Sequence, residues 1–356
     1  MNLLRALSRV GHQEEYFLIS EDSLLKEKLS LPDNFEREAP KKRFRMINRK
    51  GISLIGKILF RDIDVFFFPN SYVWYSKYAK TVVTLHDIAP YKFPERFFKS
   101  KKAFNDYKLK LFYIKKNADK IITVSNYSKK DIIAHLGVLA DKIEVIYNGV
   151  DSKFKRIEIS GQQMAGISER FKIEGPFLLF VGGLDFRKNI EVLLKAFDIL
   201  VKDYNIPHKL VIVGSNYGGS LLRLSVEEML KPLNISERLV FTGRLSDDDL
   251  LVLYNAAELF VFPSIYEGFG LPVLEAMACG CPVICSNTCS LPEVAGKAGL
   301  MFDPQDHLLL SKLIKDLLGS KENREELSSN GLKRANLFSW DNSAKETLLV
   351  LKALMN

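Results

Sequence analysis

The sequence predicts an α/β protein, and three observations carry that prediction. Short apolar runs, such as Phe177 to Val181 and Leu259 to Phe262, break into glycine-bearing loops and then into helical patterns. At 356 residues and 47% hydrophobic composition, the chain is long enough for two cored domains. The charge divides along the chain as well. Residues 1–150 hold 28 Lys and Arg against 17 Asp and Glu, a balance of +11, whereas residues 151–356 hold 23 against 26, a balance of −3.

In chain order, Leu3, Leu4, Leu7 and Val10 have helical spacing, and Tyr16 to Ile19 read as a short strand. KKRFRMINRK places six basic residues between Lys41 and Lys50 with no acid, and a lysine-rich helical stretch runs from Lys99 to Lys120. Such faces favour anionic surfaces or acidic acceptors, against the plainer reading of a solvated surface. Asp64 leads into the apolar strand DVFFFPN; with Asp62 it spells D-x-D, a chance pairing too slight to predict a metal site. Val82 to Leu85 form a strand ending in His86 and Asp87, where ligands of open α/β sheets gather. Lys120 to Val124 is the next strand, and Ser125 and Ser128 can cap the helix after it or reach the cleft. IEVIYNGVD closes this half with a strand and an Asn148-Gly149 turn.

The second half opens with FLLFVGGLDFRKNIEVLLKAFDIL. Its strand meets Gly182 and Gly183, a loop bears Arg187 and Lys188, and Ile190, Leu193, Leu194, Phe197 and Leu200 mark one helix face. Two adjacent cations at a strand's carboxyl end can neutralise a diphosphate. KLVIVG and RLVFTGRLSDDDLLVLYNAA add two more units, with Ser246 as cap and Asp247 to Asp249 as a helix start. After Phe262 come Pro263, the glycines Gly268 and Gly270, Pro272, and a helix from Val273 to Cys279 stopped by Gly280. Free amides at such a helix start favour phosphate. Glu267 and Glu275 flank it as hydroxyl acceptors, so the pattern suits a nucleotide sugar. The plain alternative is that Glu275 complements the helix dipole and Glu267 is a solvated loop residue. Cys279, Cys281, Cys285 and Cys289 lack paired C-x2-C spacing and read as small buried residues, neither metal ligands nor disulfides.

Glu267, seven residues and Glu275 inside EGFGLPVLEAMACGCPVI resemble the acidic signature of retaining glycosyltransferases of family four. That resemblance implies the GT-B fold, two Rossmann-like domains facing across a cleft. It divides the chain into residues 1–150 (acceptor side), 151–338 (nucleotide-sugar side), and a last helix, 339–356, returning to the first domain. It implies His86, Arg187, Lys188 and Glu267 as catalytic residues. Gly183, Thr242, Gly243, Leu245, Gly268, Phe269, Gly270, Leu271 and Glu275 would hold the donor. No metal or cofactor is implied, the nucleotide sugar being a substrate. Members of the family begin with a strand and a glycine-rich loop ahead of the first helix, so the first strand of the N-terminal domain is expected to be missing here.

The run HDIAPYKFPERF most resembles bacterial mannosyltransferases of surface-polysaccharide assembly. The expected donor is a GDP- or UDP-sugar, with GDP-mannose favoured, and the acceptor is a glycan or a lipid-linked sugar. No run reaches about 18 uncharged apolar residues and no signal peptide is visible. The expected location is therefore cytoplasmic, peripheral at the inner face of the membrane, and no nucleic-acid motif accompanies the charge. The alternative is a non-catalytic or incomplete GT-B protein that partners another transferase.

Overall fold

The computed structural model describes residues 2–11, 16–19, 35–38, 63–71, 79–214 and 226–355. Asp62 and the basic run Lys41 to Lys50 lie outside them. The N-terminal part comprises α1 (Asn2–Val10), β1 (Tyr16–Ile19), β2 (Phe35–Glu38), β3 (Val65–Phe68), β4 (Lys80–Thr84), α2 (Ala89–Lys92), α3 (Pro94–Phe97), α4 (Lys101–Asn117), β5 (Lys120–Thr123), α5 (Asn126–Leu136) and β6 (Ile143–Val145). Next come α6 (Gly161–Phe171), β7 (Phe177–Val181), α7 (Ile190–Tyr204), β8 (Lys209–Val213), α8 (Val226–Leu230), β9 (Leu239–Gly243), α9 (Asp247–Ala256), β10 (Leu259–Phe262) and α10 (Leu271–Ala278). The chain ends with β11 (Val283–Ser286), α11 (Leu291–Ala295), β12 (Leu300–Phe302), α12 (His307–Leu318), α13 (Lys321–Ala335) and α14 (Trp340–Lys352).

Two parallel sheets organise these elements, ordered β3-β4-β5-β6 and β12-β11-β10-β7-β8-β9, with β1 and β2 paired separately. This is the α/β class that the strand, loop and helix pattern predicts. In the larger sheet the chain steps outward from β7 to β9, then returns to the other side of β7 with β10. The loops after β7 and β10 therefore diverge from a switch point, where open α/β sheets leave a crevice.

Alternation along the central strands fixes the packing on both faces. Phe177 and Leu179 of β7 join Phe260 and Phe262 of β10 in one core, and Leu178 and Phe180 join Leu259 and Val261 in the other. Strands covered on both faces need such continuous apolar runs. Cys279, Cys281 and Cys285 are buried in the first core and Cys289 is half-buried, as small core residues. Burial pushes the Cys279 and Cys285 thiols up to about 12.

The two parts of the chain are also tied through the last helix. Val150 bridges Ser339 just before α14, and α14 packs Ala344 and Leu348 on Ala6 and Leu7 of α1. Arg9 Nη2 reaches Asp341 Oδ1 at 2.5 Å. Gly149 leaves no room there, since an added Cβ would stand 2.1 Å from Trp340 N.

Candidate active site

At the switch point the loop after β7 carries Arg187 and Lys188, and the loop after β10 carries Glu267. Asp185 starts the first loop's turn by accepting from Arg187 N at 3.0 Å, and its carboxylate also grips the Arg187 guanidinium at 3.0 and 3.1 Å. Ile265 N donates to Arg187 O at 2.8 Å, stitching the second loop to the first. Lys188 Nζ then meets Glu267 Oε1 at 2.5 Å above the Phe262 ring. The structure thus brings together three of the four residues expected to be catalytic.

His86 comes from the other sheet, beyond the end of β4. Its Nε2 lies 3.3 Å from Pro69 O, and the side chain is exposed. The neighbouring Asp87 faces the site: its carboxylate accepts from Ala89 N at 2.9 Å, and burial raises its pKa despite Arg187 nearby. Gly268 lies so close that an added Cβ would stand 3.0 Å from Asp87 Oδ2 and from His86 O. A side chain there would have to push the two parts of the chain apart by a few tenths of an ångström.

After Glu267 the chain turns into α10 through Gly270, at φ 112°, with Pro272 in the first turn. Among the described residues, the amides of Gly268, Phe269 and Gly270 donate to no protein acceptor, which leaves them free for an anion. One turn further along, Glu275 accepts from the buried Tyr254 hydroxyl at 3.1 Å. Burial pushes its carboxyl up to about 7, with Asp247 and Asp151 adding to the rise and Tyr254 and Lys153 opposing it.

The ends of β7, β8 and β9 close the floor on that side. Gly182 N donates to Val213 O at 2.8 Å and Gly214 N to Gly243 O at 3.0 Å. Gly183 adjoins this contact, its nitrogen 3.2 Å from where a Gly214 Cβ would stand. Thr242 Oγ1 donates to Gly243 O at 3.0 Å, Gly243 turns at φ 70°, and Leu245 is half-buried against the core. Ser246 caps α9 by accepting from Asp249 N, while the Asp249 carboxylate takes Arg170 at 2.7 and 3.1 Å. The acidic run is a helix start, as its sequence suggests.

Residues 1–154 match the family described as "Glycosyltransferase Family 4", and residues 167–334 that described as "Glycosyl transferases group 1". The O-antigen chain mannosyltransferase B of Escherichia coli is 34% identical over 288 residues, covering 80% of this chain and 73% of that protein. The chain belongs to glycosyltransferase family four. The serotype-specific mannosyltransferase WbdA of Escherichia coli is 32% identical over 277 residues, 74% of this chain. The chain spans about a third of that relative's length, 32%. Anabaena Alr3699/HepE, solved in complex with UDP-glucose, superposes with a TM-score of 0.74 at 17% identity over 99% of this chain and 96% of that one. That likeness establishes the GT-B fold for this family-four chain. Among the described residues no helix is long and apolar enough to cross a membrane.

Several residues around the candidate site escape the signature motifs. Asp131 of α5, itself buried, accepts from Tyr266 Oη at 3.0 Å and from Lys92 Nζ at 3.1 Å. Glu293 of α11 accepts from Asn126 N at 2.8 Å and Tyr127 N at 2.6 Å, at the start of α5. Phe93 and Phe97 pack on Phe186, and Phe97 also lies under Arg187. The available signal was spacing: Ser125, Ser128 and Asp131 recur every three residues, which places them along one helix face.

Proposed function

We propose that the chain transfers a hexose from a nucleotide sugar with retention of anomeric configuration. Mannose from GDP-mannose is the favoured donor group, and the acceptor is a glycan or lipid-linked sugar of a cell-surface polysaccharide. The observation that carries this reading is the Lys188–Glu267 pair at the switch point, beside three unpartnered amides. The mannosyltransferase names of the relatives support the sugar, and the UDP-glucose bound to the structural neighbour supports the donor class.

In this reading the diphosphate lies on the amides of Gly268 to Leu271, with Arg187 and Lys188 offsetting the charge that grows as the sugar leaves. Glu275 accepts from the ribose hydroxyls, Glu267 and His86 border the sugar, and Thr242 to Leu245 border the base. The C1–O bond to the diphosphate breaks and the bond from C1 to the acceptor oxygen forms on the same face. The acceptor's proton passes to the departing phosphate oxygen, so no protein nucleophile is used. No metal or cofactor takes part in this reading.

The partner surface is read from α4. Leu109, Phe112 and Tyr113 are 51%, 54% and 47% exposed on a helix with six lysines and one acid. An apolar stripe rimmed by cations suits an anionic membrane, peripherally at its inner face.

Calorimetric titration of the chain with GDP and with UDP tests the donor reading. Binding of one nucleotide, lost in Glu275→Ala, supports it; binding of neither favours a non-catalytic partner of another transferase.

A further inference from the structure

Three consecutive carbonyls of the glycine loop lie within hydrogen-bonding distance of buried hydroxyls. Ser290, at the start of α11, lies within hydrogen-bonding distance of Glu267 O at 3.0 Å and Phe269 O at 2.7 Å. The carbonyl between them, Gly268 O, is held from the N-terminal part of the chain. Ser125 Oγ donates to it at 2.8 Å and Ser128 Oγ at 3.2 Å. All three serines are fully buried. Capping the first turn of α5 would need only Ser125, which accepts from Ser128 N at 3.0 Å. The second hydroxyl, from Ser128, has no part in the cap.

A peptide unit is planar and, in the trans form found here, its C=O and N–H point in opposite directions. Pinning Gly268 O toward α5 therefore turns the Phe269 N–H away from α5. That amide donates to no acceptor among the described residues. The same helix holds the loop at one further point, through Asp131 on the Tyr266 hydroxyl, and holds α11 through its Asn126 and Tyr127 amides on Glu293.

We propose that Ser125 and Ser128 are positioning residues that aim the Phe269 amide at the donor diphosphate, so that the N-terminal part of the chain completes a phosphate seat carried by the C-terminal sheet. The proposal rests on the reading of the Gly268 to Leu271 amides as that seat. Its consequence is a link between closure and phosphate grip. When the two parts separate, Gly268 O loses both donors, and the peptide is free to turn.

The test is calorimetric titration of the full chain with GDP and with GMP, which lacks the β-phosphate, and in parallel with UDP and UMP. Ser128→Ala removes one hydroxyl and leaves the α5 cap intact; Ser125→Ala/Ser128→Ala removes both. The expected result is a loss of affinity for the preferred diphosphate of about tenfold in the double variant, and less in Ser128→Ala, with monophosphate affinity unchanged. Retained monophosphate binding also reports that the donor side is folded. Equal losses for diphosphate and monophosphate, or an unchanged diphosphate affinity in both variants, would overturn the proposal while leaving the donor site in place. A wild-type chain that binds none of the four nucleotides would overturn the site reading and this inference with it.

Discussion

Lys188 Nζ lies 2.5 Å from Glu267 Oε1, joining the loops after β7 and β10 across the switch point of the larger sheet. The two side chains are only 15% and 14% exposed, so each charge depends on the other for its solvation. Removing one leaves the other desolvated and unpaired, at a cost on the order of 2 kcal/mol. Lys188→Ala and Glu267→Ala are each expected to lower sugar transfer by about 100-fold or more. Both should lower the thermal midpoint, and the double variant should be little less stable than either single. Wild-type turnover in either single variant would remove the pair from the chemistry.

Glu275 makes stability depend on pH in a direction opposite to that of a salt-bridged carboxylate. Burial holds its carboxyl at about 7 against an ordinary value of 4.5. Between those values the folded chain keeps a proton that the unfolded chain has released. This group's contribution therefore falls as pH rises through that window and is level above it, a total of at most ~3 kcal/mol. Glu275→Gln stays neutral throughout. In urea unfolding the variant should gain on the wild type from pH 5 to pH 8; a constant difference across that range would show that Glu275 ionises normally.

The fold was legible because its signals are local. Strands covered on both faces, such as Phe177–Val181 and Leu259–Phe262, must be apolar throughout, and glycines mark their carboxyl ends. Glu267 and Lys188 were legible as chemistry-bearing types beside those glycines, although 79 residues separate the partners. The contacts made by α5 were legible only in part. Ser125 reads as a helix cap or a cleft residue; it is the cap, and its hydroxyl also reaches Gly268 O, 143 residues away, a partner its spacing does not name. Asp131, which no motif singles out, buries a bond to Tyr266. Pattern and propensity describe an element's own faces, and which surface of another sheet will meet them is set by the tertiary arrangement.

Gly214 gives a sharper test of the sheet than any core side chain. At φ 150°, an added Cβ would stand 2.0 Å from Gly182 O and 2.6 Å from Gly182 C. Both obstacles are backbone, in strand ends already tied by the Gly182 N to Val213 O bond, so no side-chain rotation relieves the clash. Gly214→Ala is expected to cost about 3 kcal/mol or more. Gly161→Ala, in the first turn of α6 with nothing within 4 Å of the added Cβ, is the control, expected within about 0.5 kcal/mol of wild type. Equal unfolding midpoints for the two variants would contradict the close approach of β8 to the loop after β7.

The face of α4 makes a prediction in which two forces can be separated. Leu109, Phe112 and Tyr113 lie at helical spacings of three and four, with Lys116 continuing the face and Lys108 and Lys115 beside it. Lysines near an anionic surface contribute roughly 1 kcal/mol each and are screened beyond a Debye length, about 10 Å at 0.1 M salt and 3 Å at 1 M. Inserted apolar groups are not screened. Sedimentation with phosphatidylglycerol vesicles should therefore show binding that weakens with salt but keeps a salt-resistant remainder. Leu109→Ser/Phe112→Ser should abolish the remainder and leave nucleotide titration unchanged, because neither side chain reaches the site. Loss of all vesicle binding at 1 M salt in the wild type would reduce the face to a solvated basic surface, with the exposed side chains playing no part in docking.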